Sequence, residues 1–258
     1  MESVIKATVI VAGMTFAGSA GAAPMFSFGL TDFGTDAGAA QTALNNWQSG
    51  QRHYATETFE DFDSYPEHGE ATRDPLSPLV GQFTAGGDAG TGNACVEPCN
   101  ESIVKDKSDS NAFGRNLTAG GNNWLDSNDA TQTIWNIGAG SDAGFSAFNR
   151  LGFFLIDAAD QSGKLQVTLA DKSTETYELF DSDGGSGLEN GNIQFITGNF
   201  SELVTSAKLT VKNSNGNTSD GWGIDEASIA VPLPGTLALF GISLLGLGVA
   251  TRRYRFRS

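Results

Sequence analysis

The clearest periodic signals in the chain are short and alternate with a period of two. Leu165-Gln166-Val167-Thr168-Leu169 and Lys208-Leu209-Thr210-Val211-Lys212 put apolar side chains on one face and polar ones on the other. That is the pattern of a strand with one packed face and one wet face. Leu151-Gly152-Phe153-Phe154-Leu155-Ile156 is apolar without alternation, which predicts a central strand covered on both faces. Strands are expected at residues 56–62, 79–83, 132–137, 148–157, 164–169, 174–180, 192–196, 207–212 and 224–231, with Gly, Asn, Asp and Ser between them. Residues 25–35 are rich in Gly and Phe and carry no strong pattern. Asp36 is placed to cap a short helix with Ala39, Ala40, Ala43, Leu44 and Trp47 on one face. Between Phe83 and Thr131 apolar anchors are few, so long loops with about two short strands are expected there. No internal repeat or second domain is evident. The expected fold is all-β, an antiparallel two-sheet sandwich of jelly-roll type over residues 54–231. An N-terminal segment with the short helix, residues 23–53, precedes it.

The two ends read differently. Lys6, the apolar stretch from Ala7 to Ala17 and the small residues Gly18-Ser19-Ala20-Gly21-Ala22 have the order of a secretory signal peptide. Residues 1–22 are the expected signal, cut before Ala23 by signal peptidase. At the other end, residues 232–258 begin with Pro232-Leu233-Pro234-Gly235. An apolar run from Leu237 to Ala250 follows, and then Arg252-Arg253-Tyr254-Arg255-Phe256-Arg257. As a helix, Pro232 to Ala250 would be about 28 Å long, close to a hydrocarbon core of about 30 Å. A transmembrane helix is therefore expected, with the arginines on the cytoplasmic side.

Charge narrows the partners. The chain has 15 Lys and Arg against 30 Asp and Glu. The signal takes Glu2 and Lys6 and the tail takes four arginines, which leaves residues 23–231 with 10 basic and 29 acidic groups, a net of −19. Such a surface repels nucleic acid and anionic headgroups and suits an exported protein or one that collects divalent cations. At long range it also disfavours acidic polysaccharides, so a neutral or cationic glycan is expected if one is bound. In an oxidising compartment Cys95 and Cys99 are expected to form a local disulfide.

The C-terminal order of Pro-x-Pro-Gly, apolar helix and arginine cluster closely resembles the PEP-CTERM sorting signal of Gram-negative bacteria. The residues that carry it are Pro232, Pro234, Arg252 and Arg253. That family has Glu between the two prolines, where this chain has Leu233. The resemblance implies export, transient retention in the inner membrane, processing by an exosortase-type enzyme, and a place at the cell surface or in the exopolysaccharide matrix of a biofilm. A second resemblance rests on Thr58-Phe59-Glu60-Asp61-Phe62 and on Asp220-Gly221-Trp222-Gly223-Ile224-Asp225-Glu226-Ala227. The pair is similar to motifs of galactose-binding-like jelly rolls, among them non-catalytic carbohydrate-binding modules. It implies that the first and last strands are neighbours and that Glu60 and Asp225 share a structural Ca²⁺. Asp61 and loop carbonyls are the further oxygens such an ion would need.

Catalytic signals are thin. The histidines are His53 and His68, neither with a recognisable partner, and no nucleophile elbow or zinc-protease helix is present. The expected function is non-enzymatic: an exported surface or matrix protein that binds extracellular polysaccharide. Trp124 beside Asn122 and Asn123 has the composition of a shallow sugar site, a ring for apolar area and amides for hydroxyls. The alternatives are a structural or adhesive matrix protein without a sugar site, and a secreted hydrolase, which would need two carboxylates of split pKa.

Overall fold

The computed structural model describes residues 26–50, 54–63, 80–86, 102–106, 121–128, 130, 132–138, 147–158, 161–180, 191–213 and 221–232. In chain order the elements are β1 (Phe26–Asp32), α1 (Ala37–Gly50), β2 (Tyr54–Glu60), β3 (Gly81–Gly86), β4 (Ile103–Asp106), β5 (Asn123–Asp126) and β6 (Gln132–Ile137). They continue with β7 (Phe148–Ile156), β8 (Gln161–Leu169), β9 (Thr174–Phe180), β10 (Ile193–Asn213) and β11 (Gly223–Pro232). The expected signal peptide, the Cys95–Cys99 pair and the apolar run 237–250 lie outside the described residues. Among the described residues no helix is long and apolar enough to cross a membrane.

All strand pairs are antiparallel and join in one curled network of the expected jelly-roll kind. Its organiser is β10. The first half of β10 lies between β1 and β7, and β7 lies next to β11. The second half lies between β6 and β8, with β3 beyond β6 and β9 beyond β8. Its ladder to β8 shifts register between Val204 and Ser206, where the exposed Ser201-Glu202-Leu203 carries the chain from one layer to the other. Pattern reading gave two strands here, at 192–196 and 207–212, and they are halves of one. β1 was not expected from residues 25–35, because its order comes from pairing with β10 and not from a pattern of its own. The two short strands of the loop-rich segment are β4 and β5.

Between the layers lies the main core. Phe83 stacks on Trp135 at 5.0 Å, and Trp135 meets Phe153 edge-on at 5.3 Å, so aromatic rings span from β3 and β6 to β7. Each such pair contributes about 0.5–1.5 kcal/mol beyond area burial. Leu165, Val167, Leu209 and Val211 point into this core, as their alternation requires. Leu151 to Ile156 are buried throughout, the expected central strand.

The other face of β7 and β10 is covered by α1. The Asp36 carboxylate accepts the N–H of Ala39 at 2.9 Å and caps the helix. Ala40, Leu44 and Trp47 pack on Phe154, Ile193 and Phe195. Phe154 stacks on Phe195 at 4.5 Å and Trp47 meets Phe195 edge-on at 5.9 Å. The Arg150 guanidinium sits 3.9 Å from the Trp47 ring centre, in cation–π geometry. Gly152 makes room for the indole, since a Cβ there would stand 2.8 Å from Trp47 Cε2.

Gly152→Ala is therefore expected to destabilise the fold by about 1–3 kcal/mol through overpacking. In a Trp47→Ala background the same methyl should cost less, because the atom it strikes is gone. Chemical denaturation of the single and double variants checks both; additive losses would contradict the contact.

Candidate functional site

One edge of β11 changes partner partway along. Ala227 to Pro232 pair with β2, whereas Gly223 and Ile224 pair with β5. Asp225 and Glu226 fall at the gap between them. On the opposite edge the ladder to β7 shifts register between Asp225 and Ser228, and Glu226 has φ 52°. This is a β-bulge, the device that re-aims a side chain out of strand alternation.

The gap is closed by the chain leaving β2. Phe62 is buried, has φ 58°, and meets Phe83 edge-on at 5.9 Å. Next to that anchor, Asp63 faces the start of β5. Asp61 Oδ1 accepts the N–H of Asp63 at 3.1 Å. Asp63 Oδ1 accepts the N–H groups of Asn122 and Asn123 at 2.7 and 2.8 Å, and Asn123 Nδ2 donates to Phe62 O at 3.4 Å. Gly121 is needed beside this carboxylate, because a Cβ there would lie 2.8 Å from Asp63 Oδ2.

Four acids thus meet at the partner switch. Asp225 and Glu226 are 0% and 3% exposed. Asp225 Oδ1 accepts the N–H of Glu226 at 2.8 Å, while Asp225 Oδ2 and Glu226 Oε2 are buried without a hydrogen-bond partner. Burial raises the Asp225 carboxyl well above the usual range, and the charges of Glu226, Asp63 and Asp61 add to the rise. Glu226 is pushed up to about 8, by burial first and then by Asp61 and Asp63. Another buried acid nearby, Asp126, has a cation, with Lys105 Nζ 3.4 Å from its Oδ1. Among the described residues Asp225 and Glu226 have none. Such a cluster keeps its protons or takes up a cation.

Of the expectations tied to Ca²⁺, the pairing of the opening and closing strands is observed. Glu60 lies beside Ala227 in the β2–β11 register, so the opening and closing strands are neighbours. Its side chain lies outside the described ones. Asp225 is at the gap and Asp61 is close enough to act on both inner acids. Among the described residues no group of three or more His, Cys, Asp or Glu is arranged to hold a metal ion. Glu226 and Asp63 were not anticipated. Their signal was present in the wide spacing between inward Ile224 and Ala227, where strict alternation would allow one residue and the chain has two.

The expected sugar platform is corrected. Trp124 lies in β5 and is 0% exposed. A Cβ at Gly223 would stand 2.7 Å from its Cδ1, so the indole is seated on β11 and has no open face for a sugar ring. Asn122 is exposed and Asn123 half-buried; their backbone N–H groups hold Asp63. Trp135 and Trp222 are each 1% exposed.

The raised acids set a pH dependence. A carboxyl raised in the folded state contributes stability that is fully present below its unfolded pKa, near 4, and is lost as pH rises through the folded value. In EDTA the melting temperature should therefore fall from about pH 5 to about pH 9, and fall less in Glu226→Gln. Thermal melts across that range check it; parallel profiles for the two proteins would contradict the assignment.

Comparison with known proteins adds three findings of shape and one of sequence. The C-terminal family 22 carbohydrate binding module of Clostridium thermocellum Xyn10B has 14% identity and a TM-score of 0.32, covering 70% of this chain and 95% of that one. A xylan-binding domain of the same family has 15% identity and a TM-score of 0.30, over 65% and 97%. The K1 cleaved adhesin domain of Lys-gingipain from Porphyromonas gingivalis W83 has 12% identity and a TM-score of 0.25, over 69% and 100%. No curated protein matches the sequence. Residues 230–253 match the family model of the PEP-CTERM protein-sorting motif, and the chain is thus an exported protein that carries this sorting signal.

Proposed function

We propose that this chain is a non-enzymatic protein of the cell surface or extracellular matrix, held briefly in the inner membrane, processed by an exosortase-type enzyme, and presenting its sandwich to polysaccharide. The observation that carries the reading is the sorting motif and its attachment. The motif begins at Ala230, inside β11, which ends at Pro232. β11 is bonded to β7, β2 and β5, so the start of the motif is part of the sandwich. Signal peptidase would act at the other end, before Ala23.

The burial of Trp124 supports a second reading, a structural or adhesive matrix protein with no aromatic sugar site. The hydrolase reading has less support. A glycosidase needs one protonated and one ionised carboxyl, and the two inner acids here are both raised.

Replacing Arg252, Arg253, Arg255 and Arg257 with Ser should release the protein into the medium, because the basic residues keep their end of the span from translocating. Cell fractionation and immunoblotting measure this, and an unchanged distribution would contradict membrane-held sorting. We further propose that Ca²⁺ settles at the β11 gap, with Glu60 and backbone carbonyls completing the oxygens that Asp225 and Glu226 begin. An ion that binds only the folded state stabilises it by about 2.7 kcal/mol at a hundredfold excess over Kd. Melting midpoints in EDTA and in millimolar CaCl₂ test the site, and equal midpoints would remove it.

A further inference from the structure

The two outer faces of the sandwich differ. That of β7 and β10 is covered by α1. Among the described residues no element covers the outward face of β3, β6, the second half of β10, β8 and β9. Its register aligns Gln82, Asn136, Lys208, Gln166 and Thr176 in one row across all five strands, and all five side chains are exposed. The next row brings Thr210, Lys164 and Glu178 together, and Lys212 lies farther along β10.

The charges on this face run against the rest of the molecule. The rows from Lys208 to Lys212 carry Lys164, Lys208 and Lys212 against Glu178, with Glu202 exposed at the layer crossing of β10 and Glu175 half-buried on β9, within a chain of net charge −15. Lys164 Nζ is 2.8 Å from Glu178 Oε1. Lys208 and Lys212 pair with no carboxylate among the described residues. They stand four residues apart on one strand, about 13 Å, with Lys164 on the adjacent strand beside the interval. Amide and hydroxyl side chains fill the positions between. The exposed large hydrophobic side chain of the described residues, Leu203 at 39%, lies at the layer crossing and not on this face.

We propose that this face is the polysaccharide-binding surface and that its ligand class is acidic, a chain bearing carboxylates or sulfates. The proposal rests on the reading of the protein as an exported polysaccharide binder and names both the place and the class of ligand. The ammonium groups meet the anions, and the amides and hydroxyls meet the sugar hydroxyls. Among the described residues this face carries no exposed large hydrophobic side chain that could enter a lipid layer. The expectation of a neutral or cationic glycan came from net charge alone. Charges farther away than about 8 Å are largely screened at physiological salt, so at contact the local lysines decide.

The test is retention of the full-length chain, in mild detergent and EDTA, on immobilised polygalacturonate, with cellulose, chitosan and phosphatidylglycerol vesicles as comparisons. EDTA removes any calcium bridge between carboxylates. Retention on polygalacturonate is expected, with release by NaCl. Lys208→Glu with Lys212→Glu should weaken it about tenfold or more, whereas Lys208→Arg with Lys212→Arg should keep it. Melting curves confirm that the exposed substitutions leave the fold intact. Equal retention of the Glu variant overturns the assignment of the face. Binding to cellulose or chitosan but not polygalacturonate overturns the acidic class and leaves the polysaccharide reading standing. Retention on none of the glycans overturns both, and equal or stronger binding to the vesicles replaces a glycan with a lipid surface.

Discussion

The structure depends on one strand serving two layers. β10 is 21 residues long, well beyond the common strand length of about 5–6 residues. Each half is hydrogen-bonded on both edges, to β1 and β7 first and then to β6 and β8. A register shift lets it bend between them. The layers are therefore joined by backbone as well as by the Phe83, Trp135 and Phe153 rings. Disturbing the bend would move the core and the lysine-bearing face together.

A second constraint comes from charge. The chain is strongly acidic, and it buries two carboxyls side by side where β11 changes partner. One oxygen of each, Asp225 Oδ2 and Glu226 Oε2, is buried without a hydrogen-bond partner. Lys105 and Asp126 show the alternative, a buried acid paired with a cation. Glu226 raises the cost of ionising Asp225, and Asp61 and Asp63 raise it for both. The bulge therefore holds its two carboxyls in their protonated form more firmly than water would. It lies in a different layer from the row of exposed lysines on β8 and β10.

Export and architecture agree physically. A sandwich with one helix-covered face and one polar face shows, among its described residues, a single exposed large hydrophobic side chain, Leu203, and so suits an aqueous compartment outside the cell. The sorting motif begins within a strand bonded to three others.

Much of this was legible in local pattern. Alternation at Leu165–Leu169 gave the inward and outward sides of β8, the unbroken apolar run gave the central β7, Asp36 gave the helix start, and the Pro-x-Pro, apolar and arginine order gave the sorting signal. These are properties of a few neighbouring residues, and local pattern suffices for them. Tertiary structure decided the rest. β1 and the full length of β10 required partners distant in sequence. Trp124 looked like a loop ring until pairing with β4 and β11 buried it. Glu226 owes its raised pKa to burial and to acids more than 160 positions earlier in the chain. The cationic face is also invisible in composition, since Lys164, Lys208 and Lys212 become one surface only through the β8–β10 register. Which charges share a face is set by pairing between distant strands, and net charge averages that information away.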